Sequence, residues 1–136
     1  MAMMKRSKKW AVAFDTTIPT VVYPMTTVSS PDIELDTNGV LTIKRNWQFD
    51  GVTWAPDRKR AMRAALAHDA LYDLMRHNLL PLSMQHQADD CFYLTCLEDG
   101  VPKWRALLYR KALRMFGNRA LEKKQPLHQF INSADG

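Results

Sequence analysis

The spacing of apolar positions changes once along the chain, from a period of two broken by prolines to a period of 3.6 after Pro56. Before the change, Trp10 to Val28 is rich in β-branched and aromatic residues and is interrupted by Pro19 and Pro24. That pattern predicts short strands joined by turns. Ile33-Glu34-Leu35-Asp36 and Val40-Leu41-Thr42-Ile43 alternate on either side of Asn38-Gly39. Both turn residues tolerate positive φ, so the segment predicts a hairpin closed by a two-residue turn. Trp47 to Pro56 mixes aromatics with Asp50-Gly51 and reads as a loop leading out of the sheet.

After Pro56, Asp57 stands where an N-cap belongs, ahead of a helix running to about His77. Ser83, following Pro81, is placed to cap a second helix from about Met84 to Glu98, with Gly100 at its end. Pro102 suits the first turn of a third helix stopped at Gly117, with Trp104, Leu108, Ala112, Met115 and Phe116 as its apolar stripe. Residues 1–9 carry Lys5, Arg6, Lys8 and Lys9 without periodicity and are expected to form a mobile basic arm. Residues 118–136 are expected to form a loose tail. The sum is an α+β fold: antiparallel strands over 10–56, then three helices over 57–117.

At 136 residues and 46% hydrophobic content, the chain fits one domain with one core. No run of about 18 apolar residues offers a membrane span. The basic N-terminus lacks a signal peptide's apolar stretch, so folding in the cytosol is expected. Cys91 and Cys96 lie on one predicted helix with diverging side chains and are expected to be reduced and buried. The net charge of +5 is uneven, because Lys103 to Lys124 holds eight Lys/Arg residues against Glu122 alone. That side is either a solvated face or a surface for nucleic acid, anionic lipid or an acidic protein.

Chemistry concentrates on the first two helices. Ala61, Ala64, Ala65, His68, Tyr72 and Met75 share one face, so an imidazole and a phenol are aimed inward among small apolar residues. Asp69 is rotated about 100° away and offers a hard oxygen ligand. On the next helix Asp89 lines up with Phe92 and Cys96, an acid on an apolar line. Antiparallel packing across the short connection would let Asp89 accept a hydrogen bond from His68, fixing the tautomer and raising the basicity of the other nitrogen. A metal on Asp69, with backbone carbonyls of the Trp47 to Thr53 loop, would polarise a carbonyl or phosphoryl oxygen. The alternative is a satisfied core histidine, with Asp89 either its buried partner or bonded to a loop amide. Asp73 and Asp90 are expected to face solvent. His77, His86 and Asp90 lack the spacing of zinc motifs, and no phosphate-binding glycine loop or Gly-x-Ser-x-Gly elbow occurs.

Phe49-Asp50-Gly51-Val52-Thr53, Ala64-Ala65-Leu66-Ala67-His68-Asp69-Ala70-Leu71-Tyr72, Ala88-Asp89 and Tyr109-Arg110-Lys111-Ala112-Leu113-Arg114-Met115-Phe116-Gly117 follow in that order. The series resembles a family of short phage and prophage proteins of unknown function, with an Asp-Gly loop, a His-Asp-x-Leu-Tyr helix, an Ala-Asp helix and a closing aromatic-Gly helix. It covers roughly half the chain. Val52-Thr53-Trp54-Ala55-Pro56 departs from the family's Ala-Ser loop. The resemblance implies a viral setting, with the protein in the virion or the host cytoplasm and other virion proteins as partners. A fainter similarity is to phospholipase A2 in its bacterial and parvoviral capsid forms. It implies His68 as the base that activates water, Asp89 as the carboxylate orienting it, Tyr72 as a supporting donor and Asp69 as a calcium ligand. Asp50 and Gly51 would then stand in for the glycine-rich calcium loop of those enzymes.

Overall fold

Strands fill the first half of the chain and helices the second, the α+β order that the change of period predicts. The computed structural model describes residues 3–6, 9–50 and 58–124. Its strands are β1 (Met3–Arg6), β2 (Lys9–Val12), β3 (Thr16–Pro19), β4 (Val28–Ser29), β5 (Ile33–Leu35), β6 (Val40–Ile43) and β7 (Gln48–Phe49). Its helices are α1 (Arg58–Arg76), α2 (Gln85–Glu98) and α3 (Lys103–Lys124). The strands pair antiparallel in two sheets, ordered β1-β2-β7 and β3-β6-β5-β4.

Alternation in β5 and β6 sends Ile33, Leu35, Leu41 and Ile43 inward and leaves Glu34 in solvent. The register sets Ile33 opposite Ile43 and Leu35 opposite Leu41, so one face of the hairpin is a paired apolar surface. Three residues, one more than predicted, separate Asp36 from Val40, whose main chains are bonded at 3.1 Å. The Asp36 carboxylate sets this length by accepting bonds from the Asn38 and Val40 amides, each at 2.9 Å. Gly39 alone takes the left-handed region in this turn, at φ 80°. A Cβ there would lie 2.8 Å from the Thr20 carbonyl oxygen.

Two expectations for the sheet change. Met3–Arg6, within the segment expected to be an arm without regular structure, pairs with β2, Met4 opposite Ala11. Main-chain pairing needs no apolar alternation, and Lys5 and Arg6 stand on an edge strand, where charge discourages further pairing. The loop expected from Trp47 begins with β7, which sets Phe49 opposite Trp10. The Asp57 cap and the segment 125–136 lie outside the described residues.

Helix α1 closes on Asn78 at φ 59°, with the Leu79 amide bonded to the Leu74 carbonyl at 2.9 Å and Asn78 to Met75 at 3.0 Å. Helix α2 closes the same way on Gly100 at φ 94°, with Val101 bonded to Cys96 and Gly100 to Leu97. Ser83 does not cap α2. It lies in a 3-10 turn, Leu82–Met84, and Met84 takes the cap position without a side-chain bond. Helix α3 runs through Gly117 to Lys124 instead of stopping there.

The core surrounds α1. Leu66, Ala70, Leu71 and Leu74 join the sheet residues Ile18, Ile33, Leu35, Leu41 and Ile43 and also Phe49 in one cluster. Ala61, Ala64 and Ala65 join Phe92 and Cys96 of α2 and Ala106 and Tyr109 of α3 in a second. The small alanines let the later helices approach α1 closely. Cys91 and Cys96 are free thiols and buried, as expected.

Candidate functional site

All six residues expected on the inner face of α1 are buried, as are Asp89, Phe92 and Cys96 on α2. Helices α1 and α2 run antiparallel. Arg63 meets Glu98 at 2.6 Å and Asp99 at 3.0 Å at one end, while His68 and Tyr72 meet Asp89 nearer the connection.

His68 Nε2 lies 2.8 Å from Asp89 Oδ1, and the Tyr72 hydroxyl donates to the same oxygen at 2.9 Å. Asp89 is 0% exposed, and Oδ2 has no hydrogen-bond partner among the described residues. An ionised carboxylate only accepts, so Nε2 carries the proton that bonds it and Nδ1 is left as the basic nitrogen. Nδ1 lies 3.8 Å from Asp69 Oδ1. The ring is held by the Tyr72 ring, centroids 4.1 Å apart, and by the edge of Phe92 at 5.8 Å.

Burial alone would push the His68 pKa down, but the bonds to Asp69 and Asp89 and the charges behind them outweigh it and raise it above its ordinary 6.5. Burial, with the Asp89 charge, pushes the Tyr72 phenol up, so it stays a donor. A buried carboxylate needs such partners, and this one takes both on one oxygen.

Gly117 completes the site, a role its reading as a helix stop conceals. It is buried in α3, and a Cβ there would sit 2.5 Å from the Tyr72 hydroxyl oxygen and 2.7 Å from Gln85 Nε2. Its missing side chain gives the phenol its room. The sequence does not single it out, because periodicity leaves open which apolar face of α3 is packed.

The packed face of α3 is Ala106, Tyr109, Leu113 and Gly117. Of the stripe expected there, Trp104, Leu108 and Met115 point outward at 60%, 54% and 66% exposure, Ala112 is half-buried, and the Phe116 side chain lies outside the described residues. Both faces of this helix carry apolar residues. Tyr109 decides between them by meeting the Phe92 ring edge-on at 6.3 Å. Asp90 is half-buried instead of solvated, since it binds Arg110 at 3.1 Å and Arg114 at 2.7 Å, and Asp73 binds Arg76 at 3.1 Å.

Asp50 is exposed just past β7, and Gly51 lies outside the described residues. Among the described residues no three His, Cys, Asp or Glu side chains converge as a metal site. A cleft of about 420 Å³ lined by Asp32, Trp47, Asp73 and His77 opens near the end of α1, and His68 does not line it. Comparison of the chain with protein-family models, curated proteins and solved structures finds no match to any of them.

Proposed function

We propose that the chain is a phage-encoded His/Asp hydrolase, similar to phospholipase A2, that acts on lipid of the host envelope and is carried in the virion. One observation carries this reading: a sealed carboxylate orients one nitrogen of His68 at 2.8 Å and leaves the other on the Asp69 side. In this role Nδ1 takes a proton from water as the water oxygen bonds to the ester carbonyl carbon. Asp89 stabilises the imidazolium that results. The carbonyl π electrons move to oxygen and return as the bond to the alkoxide breaks, and Nδ1–H protonates that leaving alkoxide. Tyr72 holds Asp89 in place. Calcium belongs to this proposal as an ion on Asp69, with Asp50 and Gly51 as the other expected ligands. Gly51 lies outside the described residues, and the proton transfers at Nδ1 do not pass through the metal.

Fatty acid release from phospholipid vesicles, with and without calcium, tests the proposal. His68→Gln, confirmed folded by its thermal melt, is expected to lower the rate by about 10²–10⁴-fold. Equal release by both proteins ends the hydrolase reading.

The second reading is a non-enzymatic virion component of tail, neck or baseplate, or an assembly factor. It is favoured by the burial of the pair, since the His68 side chain is only 8% exposed and Asp89 not at all. Here His68 and Tyr72 of α1 staple that helix to Asp89 of α2. Mass spectrometry of purified particles tests it, and absence of the chain from them would exclude a structural part.

A further inference from the structure

We infer that the outward face of α3 is a docking surface for an anionic lipid bilayer. Residues 104, 108, 111 and 115 fall on one stripe by helical spacing, opposite the buried stripe of Ala106, Tyr109, Leu113 and Gly117. Trp104, Leu108 and Met115 on it are all more than half exposed, and Leu107 beside it is 38% exposed. Soluble surfaces rarely gather large apolar residues in this way without a partner. Lys111 is exposed within the same stripe, and Lys103 is exposed at the end where Trp104 begins it. The Arg105 guanidinium lies 4.9 Å above the Trp104 ring centre.

The occupant follows from the mixture. Two copies meeting across this face would bring their lysines together. Phosphates of a nucleic acid would satisfy the cations and leave Leu108 and Met115 uncovered. A lipid surface takes both, with apolar side chains below the headgroups and Lys and Arg reaching up to the phosphates. Among the described residues no helix is long and apolar enough to cross a membrane, so α3 would lie along the surface. This inference stands on α3 alone and holds whether or not His68 has any chemistry.

Co-sedimentation of the full chain with vesicles tests it, using pure phosphatidylcholine and mixtures rich in phosphatidylglycerol at low and moderate salt. The chain is expected to sediment with the anionic vesicles at least about tenfold better, less so as salt rises. The exposed double variant Leu108→Gln/Met115→Gln is expected to lose roughly tenfold in binding while keeping its melting temperature. Lys111→Glu should weaken binding at low salt more than at moderate salt. His68→Gln should bind as the unsubstituted chain does, which separates docking from hydrolysis. Equal binding to both vesicle types, or undiminished binding by the double variant, would overturn the inference. So would a dimer of the unsubstituted chain that the double variant abolishes without vesicle binding.

Discussion

Removing the Asp89 carboxylate tests the site's physical basis without assuming any reaction. Asp89→Ala leaves the His68 Nε2–H and the Tyr72 hydroxyl, 2.8 Å and 2.9 Å from their lost acceptor, facing a position that is 0% exposed. Orphaning two buried donors, one on a ring whose charge the acid stabilised, costs about 3–5 kcal/mol. At about 4 °C per kcal/mol for a chain of this length, the melting temperature should fall by roughly 12–20 °C. Asp89→Asn keeps an oxygen for both donors but removes the charge and puts an NH2 in place of the unpartnered Oδ2, so its loss should be about 2 kcal/mol. Urea unfolding of the three proteins at one pH measures the series. A loss below about 1 kcal/mol for Asp89→Ala would mean that the pair is not the staple its geometry indicates.

Three further outcomes are expected. The raised His68 pKa contributes stability that is fully present below about pH 6.5 and is lost as pH rises through the folded value. Melts from about pH 5.5 to about pH 9 should therefore decline, less in Asp89→Asn, while any hydrolysis, which needs the neutral base, should rise over the same window. Gly117→Ala should destabilise by about 1–2 kcal/mol, because the added methyl overpacks a phenol that Asp89 holds. Helix propensity alone predicts a gain of about 1 kcal/mol, so a stabilised variant would refute the contact. Asn78→Val should cost about 1–2 kcal/mol at φ 59° and Asn78→Gly almost nothing; equal melting temperatures would show that the left-handed α1 cap is unimportant.

By itself the sequence determined the division into strands and helices, the β5-β6 hairpin and the inward faces of α1 and α2 that carry His68 and Asp89. Each follows from the period of one element or from a connection too short to allow other neighbours. Tertiary structure decided what depends on two surfaces at once. Periodicity cannot choose between two apolar faces of α3; the choice came from the fit of Tyr109 against Phe92 and of Gly117 against Tyr72. Nor does a glycine's place in the sequence say whether it ends a helix or admits a neighbour's hydroxyl. The same holds for Asp36, whose carboxylate lengthens a turn that Asn38-Gly39 alone would close with two residues. Local pattern sets what an element is, and the shape and donors of its neighbours set which side of it is used.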